Sequence, residues 1–416
     1  MNKLIMITNY FPYGSDTGEM YLRNEIFTTC HMFDQVIVFA CDAEAGDVVF
    51  SDNLPKNVQF FPLGACYSKL TCLLPNNYLK EDPEILKERE DNSLIKNAFL
   101  NYLLNKTEYR INKINGLGIL KKNNDDRVVI YSYRLFDLAM IGIYIKENYY
   151  NNAIVVSRAH RYDLYEDRNK LRYLPCRKYL ISHLDMIYPC SLDGERYLKS
   201  RYESYEQKVQ CSYLGTNDYG ISIKEKDDKF QIISCSNVIP VKRVEKIAEV
   251  VYELSKKVGI KWTHIGTGSE LDGIKKKYNK EISAGIMLFC GKLEHDQVIK
   301  LYKQNYYDLF INLSDSEGIP QAIMEAMSFG IPTVATNVGG NSEIVRNDYS
   351  GYIVNEKESV QSIVNIIENH INKDIDSVNA MRRNSRSRWE DFFDAEKNAK
   401  RFVEDISDIN ILRVQK

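Results

Sequence analysis

The sequence predicts an α/β protein of two doubly wound domains, each a parallel sheet with helices on both faces. Three observations carry that prediction. Short apolar runs alternate with longer amphipathic stretches along most of the chain, the pattern of strands buried on both faces between helices. The runs fall into two series separated by a polar segment. The length, 416 residues, exceeds one ordinary core and suits two domains of roughly 150–200 residues each.

In chain order, the first series reads as buried strands at 4–8, 36–40, 128–133, 154–157 and 186–188. The second reads as strands at 231–235, 262–265, 287–290, 309–313 and 333–335. Between them, the polar residues 215–220 and the charged residues 224–229 form the expected linker. This gives a first domain over 1–214 and a second over 215–389. Ligands of open α/β sheets bind beyond the carboxyl ends of the strands, so two such edges facing one another are expected to line one cleft.

Residues 64–124 interrupt the first series with Lys, Glu, Asn and Leu at helical spacing. They read as a mostly helical insertion, either a cover over the ligand edge or a surface decoration. The tail 390–416 is expected to hold a C-terminal helix that packs back on the first domain. Over 390–406 it carries Phe392, Phe393, Phe402 and Val403 on one apolar side.

Composition excludes several classes. Hydrophobic residues at 44% and charged residues at 27% describe an ordinary globular protein. A net charge of −2 gives no reason to expect nucleic acid as a partner. Nine cysteines are scattered from Cys30 to Cys290 without a CxxC pair, so neither a disulfide framework nor a zinc site is expected and a reducing cytosol is. The opening residues hold too short an apolar run for a signal peptide, and no run approaches the length of about 18 residues that spans a bilayer.

The most informative stretch is 314–332, SDSEGIPQAIMEAMSFGIP, directly after the apolar run 309–313. Pro320 suits the first position of a helix, and Gly330 and Pro332 stop it. The free amides near 319–322 would then form an anion site of the kind that holds diphosphates, which makes Gly318, Ile319, Pro320 and Gln321 candidate donor-binding residues. Glu317 and Glu325 mark the two ends, with carboxylates roughly 8–12 Å apart at 1.5 Å per helical residue plus the loop. That separation suits one nucleotide sugar and not two carboxylates beside one bond, as a hydrolase requires.

This segment resembles the signature of glycosyltransferase family 4, retaining enzymes of the GT-B fold. The continuation 334–345, VATNVGGNSEIV, and 348–354, DYSGYIV, match it too. The resemblance implies two Rossmann-like domains facing one cleft, with Glu317 on the transferred sugar and Glu325 on the donor ribose. It also implies a UDP-sugar donor and a glycan or lipid-linked acceptor in cell-surface polysaccharide synthesis. The protein would then work in the cytoplasm or at the inner face of the membrane, with possible peripheral contact.

Other segments extend the resemblance. Residues 234–245, SCSNVIPVKRVE, look like the family's phosphate loop, in which Lys242 is the family lysine. The family's Gly-Arg pair is replaced by Ser236-Asn237, which removes one expected cation, and the adjacent Arg243 is expected to compensate. Residues 263–268, THIGTG, read as a strand ending in a turn at Gly266. Residues 289–293 resemble the loop whose backbone receives the base at Gly291, and His295 beside it reads as a surface residue. In the first domain, Gly18 would let amides approach the donor, although Glu19 stands where the family has a second glycine. His160, in 157–163, SRAHRYD, resembles the family histidine near the reaction centre. Arg161, Arg168, Lys170, Arg172, Arg177 and Lys178 near it would attract a phosphorylated acceptor or an anionic membrane, or form an ordinary solvated face.

The expected reaction is a transfer with retention, needing no metal and no cofactor beyond the nucleotide sugar. Lys242, Arg243 and helix amides stabilise the departing diphosphate. Two alternatives stand beside it: a catalytically weak nucleotide-sugar-binding partner of another glycosyltransferase, suggested by Asn237, and a sugar-nucleotide epimerase on the same architecture.

Overall fold

A computed structural model describes residues 2–13, 19–44, 46–47, 54–64, 78–79, 81–122, 126–222 and 228–414. Among the described residues, twelve strands form two sheets of six. The first holds β1 (Asn2–Thr8), β2 (Gln35–Ala40), β3 (Val58–Pro62), β4 (Arg127–Ser132), β5 (Ile154–Ala159) and β6 (Met186–Pro189), ordered β3-β2-β1-β4-β5-β6. The second holds β7 (Phe230–Cys235), β8 (Ile260–Ile265), β9 (Met287–Phe289), β10 (Leu309–Asn312), β11 (Thr333–Thr336) and β12 (Gly351–Val354), ordered β12-β11-β10-β7-β8-β9. All pairings are parallel. Each sheet therefore reverses its direction of winding once, between β1 and β4 and between β7 and β10. Such switch points are where open α/β sheets leave a crevice.

The chain divides into two compact units, Met1–Leu214 with Glu396–Lys416, and Gly215–Ala395. In the first, alternate residues of each strand point to opposite faces. Ile5, Ile7 and Ile130 join Leu100, Leu104 and Leu138 in one core. Leu4, Met6 and Val129 join Ile26, Phe402 and Ile406 in the other. The inserted helix Leu94–Gly116 and the helix Asp137–Tyr149 thus cover one face, and the C-terminal helix Ala395–Val414 covers the second. In the second unit, the helices Val244–Ser255 and Val360–Ile371 bring Ile247, Val251, Ile363 and Ile367 onto Ile232, Trp262 and Ile311.

The sequence reading missed β3 and β12. β3 has the exposed, polar Gln59 inside it and only half-buried residues after it, and β12 opens on a glycine with three apolar residues behind it. The insertion is helical where described, over Pro83–Asp91 and Leu94–Gly116. The buried Arg110 guanidinium fastens it by pairing with Asp42 and Asp137, and Lys106 reaches Asp137 at 2.9 Å.

The expected continuous helix over 390–406 is two helices, Ile375–Phe392 and Ala395–Val414. The break has a cause. Residue 216 runs alongside 394, with the Thr216 amide donating to the Phe393 carbonyl at 2.9 Å and the Ala395 amide donating to the Thr216 carbonyl at 3.1 Å. The Trp389 indole also donates to the Thr216 hydroxyl at 2.8 Å. Phe392 is left 42% exposed, while Phe393, Phe402 and Val403 are buried. The first residues of the expected linker are therefore packed, and Asp218 pairs with Arg386 at 2.6 Å. No helix among the described residues is long and apolar enough to cross a membrane.

One core histidine makes stability depend on pH. His264 on β8 is fully buried, with Nδ1 2.8 Å from the Ser234 hydroxyl, and burial pushes its pKa down to about 4. The unfolded chain binds a proton here below about 6.5. The stability that depends on a neutral His264 is thus complete above that pH and lost as pH falls towards 4, at about 1.4 kcal/mol per unit. Urea unfolding at pH 7 and pH 5 is expected to show a fall that shrinks by about 2 kcal/mol in His264→Gln. An equal fall in both proteins would contradict this assignment.

Candidate functional site

The switch point of the second sheet gathers most of the residues singled out in the sequence. The loop after β7 carries Lys242, and the loop after β10 carries Glu317. The Lys242 ammonium donates to Glu317 Oε1 at 2.6 Å, and the Asn312 amide donates to the same oxygen at 3.2 Å. Glu317 is buried, so these two donors supply what water would otherwise give the carboxylate. Its other oxygen, Oε2, accepts no hydrogen bond among the described residues.

Glu325 repeats the arrangement one helix turn beyond the loop. It lies on the helix Gln321–Ser328 and is also buried. The Gln321 side-chain amide donates to Glu325 Oε1 at 2.8 Å, and His295 Nε2 lies 2.8 Å from the same atom. Here too Oε2 accepts nothing among the described residues.

Between the two carboxylates runs the turn into the helix. The sequence reading put Pro320 at the first helical position. Pro320 is instead the residue before it, with ψ 114°, and the helix begins at Gln321. The backbone amides of Gly318, Ile319, Gln321 and Ala322 donate to no group among the described residues, and no side chain caps this end. Unsatisfied amides and the positive end of a helix dipole make a site for an anion.

Glycines hold this turn down. Gly339 has φ +51°, and a Cβ there would lie 2.1 Å from the Glu317 carbonyl oxygen. The next amide, that of Gly340, donates to the Gly318 carbonyl at 2.7 Å. On the other side of β7, a Cβ at Gly266 would lie 1.9 Å from the Ser236 carbonyl oxygen. Gly266 therefore keeps the loops after β7 and β8 in contact, and its amide donates to the Gly291 carbonyl at 2.9 Å.

Asn237 and Arg243 are the positions where the sequence reading noted a missing cation and its expected replacement. Asn237, exposed, stands where the family arginine was expected. Arg243 adopts a left-handed backbone, φ 47°, pairs with Asp315 and donates to the Glu356 carbonyl at 2.6 Å. Its charge is thereby shared with Asp315, and it does not join Lys242 on Glu317. Cys235 and Tyr302 feel the Glu325 charge, and burial pushes the Cys235 thiol up to about 12 and the Tyr302 phenol well above its usual range. Both remain neutral.

The first unit holds His160 at the end of β5. Both ring nitrogens are buried without a hydrogen-bond partner, and the ring packs against Tyr133 at 4.4 Å between centroids. Burial, with Arg134 and Arg158 nearby, pushes its pKa well below the ordinary value, so the imidazole is neutral. The Tyr133 hydroxyl is likewise buried without a partner. Gly18 lies outside the described residues. Glu19 is buried, and its carboxylate accepts the amides of Asn9, Tyr10 and Phe11 at 2.7–2.8 Å. That turn after β1 is therefore filled by the protein's own anion.

Sequence reasoning missed Asn312, Gly339, Tyr133 and the role of His295. His295 was expected to be a surface residue, and its side chain is 36% exposed, yet it meets a carboxylate 30 positions away. No local spacing announces such a contact. Asn312, by contrast, was legible as a polar residue at the carboxyl end of an otherwise apolar strand.

Residues 216–388 match the model of the family described as glycosyl transferases group 1. The chain is 32% identical over 136 residues to N-acetyl-alpha-D-glucosaminyl L-malate synthase of Bacillus anthracis, which covers 33% of this chain and 34% of that protein. It is 27% identical over 124 residues to the UDP-Gal:alpha-D-GlcNAc-diphosphoundecaprenol alpha-1,3-galactosyltransferase of Escherichia coli, 30% of each. The chain thus spans about a third of the length of these two relatives. Its fold matches that of the lipopolysaccharide outer core galactosyltransferase WaaB, with a TM-score of 0.67 over 95% of this chain and 97% of that one, at 14% identity. The paired six-stranded parallel sheets are those of the GT-B architecture.

Gly339→Ala is expected to lift the 314–320 turn from its seat. The fold should lose about 1–3 kcal/mol through backbone strain and close contact, and nucleotide affinity should fall, both read by urea unfolding and calorimetric titration. Wild-type affinity in that variant would mean that the turn does not form the site.

Proposed function

We propose that this chain, whose second unit carries a glycosyl transferases group 1 domain, transfers a sugar from a nucleoside diphosphate donor, a UDP-sugar, to a hydroxyl of a glycan or lipid-linked glycan. The transfer retains configuration and serves the building of bacterial surface polysaccharide. One observation carries the reading: two buried carboxylates, each with one oxygen anchored and one unengaged, flank a turn of unsatisfied amides at the switch point of a parallel sheet. The names of the Escherichia coli relative and of the outer-core fold neighbour support the donor and acceptor classes.

In this reading Glu317 Oε2 receives hydroxyls of the transferred sugar and Glu325 Oε2 those of the ribose. The diphosphate sits at the amides of Gly318–Ala322. As the anomeric carbon–oxygen bond breaks, negative charge grows on the diphosphate. Fixed donors aimed at that charge lower the barrier, here Lys242 and the helix amides. The acceptor oxygen attacks from the face of the leaving group, and its proton passes to a diphosphate oxygen. His160 serves as a neutral hydrogen-bonding partner of a hydroxyl. No metal ion is needed, because Lys242 and the amide dipoles take its electrostatic part. A lipid-linked acceptor implies work at the inner face of the membrane, where the exposed Arg168, Lys170, Arg172 and Lys178 suit anionic lipid.

A second reading, a nucleotide-sugar-binding partner with weak catalysis of its own, is favoured by the exposed Asn237 and by the pairing of Arg243 with Asp315. Purified protein separates the two. Nucleotide sugars are first screened by thermal shift, since a ligand stabilises the state that binds it. Release of nucleoside diphosphate is then followed with lipid-linked acceptors. The transferase reading predicts acceptor-dependent release, unchanged by EDTA. It predicts near-complete loss in Glu317→Gln with nucleotide binding kept, and a donor KM raised by about 1–3 kcal/mol in Glu325→Ala. Binding without release would favour the partner reading, and full turnover in Glu317→Gln would remove Glu317 from the chemistry.

A further inference from the structure

The two carboxylates are held by matching pairs of donors. Glu317 Oε1 takes an amide, Asn312, and a basic side chain, Lys242. Glu325 Oε1 takes an amide, Gln321, and a basic side chain, His295. From this correspondence we infer that His295 is a positioning residue of the donor site, which holds the Glu325 carboxylate so that its free oxygen meets the ribose hydroxyls. The inference rests on the transferase reading and extends it to a residue outside the glutamate turn.

The two donors to Glu325 differ in what they can fix. Gln321 lies four residues before Glu325 on the same helix, so that bond leaves the pair free to turn together about the helix surface. His295 opens a different helix, His295–Gln304, and is reached through the turn after β9. Only a contact from a second element pins the carboxylate plane relative to the sheet. The imidazole is itself braced, with its ring 5.9 Å from that of Tyr219. Its partner Tyr219 lies under the Lys303 ammonium at 5.6 Å. Cys235 and Tyr302, which feel the Glu325 charge, are held neutral by burial. A bidentate ligand such as a ribose diol is sensitive to this setting, because both hydroxyls must reach one oriented carboxylate.

The test is a set of calorimetric titrations and initial rates with UDP and its sugars, or with whichever of UDP, GDP and ADP stabilises the wild-type protein. His295→Ala is expected to weaken nucleotide binding and raise donor KM about tenfold with kcat nearly unchanged. His295→Gln, which can still donate to Glu325, should recover most of that loss. His295→Ala added to Glu325→Ala should cost nothing further, because the two act as one unit. A 2′,3′-dideoxy nucleotide should bind wild type and His295→Ala alike. A general structural defect would weaken that ligand as well, so equal weakening of both nucleotides would overturn the inference, as would additive losses or unchanged affinity in His295→Ala. If the wild-type protein binds none of the three nucleotides, the transferase reading fails, and this inference fails with it.

Discussion

Glu317 is a carboxylate that the fold has taken out of water, and the rest of the site follows from how its charge is accommodated. A buried carboxylate without donors costs several kcal/mol or takes up a proton. Lys242 and Asn312 meet that cost on one oxygen only. An anion so held is fixed in direction and still has capacity to accept. The same device recurs at Glu325 with different residue types. The unsatisfied amides between the two supply the opposite sign. A ligand that complements this sequence of charges carries hydrogen-bond donors at both ends and a negative centre.

The backbone makes that arrangement possible. The reversal of strand order between β7 and β10 separates two loops that would otherwise be filled by a crossing connection. Lys242 arrives from one loop and Glu317 from the other. Gly339 lets a third segment lie directly on the Glu317 carbonyl, so the turn is held from behind as well as from the sides. In the first unit the corresponding turn after β1 is already occupied by Glu19. Among the buried polar atoms of that unit left without a partner are those of His160 and Tyr133, at the ends of β5 and β4. Buried ion pairs elsewhere in that unit have a different use. Arg158 bonds Glu25 and Tyr131 and lies 4.2 Å from the Phe402 ring centroid, joining the sheet to the C-terminal helix.

Central strands were legible in the sequence because burial on both faces leaves a continuous apolar run. Edge strands divided: β6 and β9 were read, whereas β3, with the polar Gln59 inside it, and β12, which opens on a glycine, were not. The glutamate turn was legible for a related reason: its glycines, prolines and carboxylates are contiguous, so local chemistry declares the whole of it. Contacts made across elements left no such trace. Whether Arg243 turned towards the turn or towards Asp315 depended on a left-handed backbone at a residue that seldom adopts one. The break after Phe392 depended on Thr216, which lies 177 or so positions earlier and packs beside it. Residue type gave the charges available, and only the fold decided which of them met.

The most direct measurement is a high-resolution structure of the protein with an intact donor, or a non-transferable fluorinated analogue, in the second unit. The account predicts density with the hexose hydroxyls on Glu317 Oε2, the ribose on Glu325 Oε2 and the diphosphate on the amides of 318–322. A donor bound with both carboxylates turned away from it, or bound at another edge of the sheet, would contradict the account.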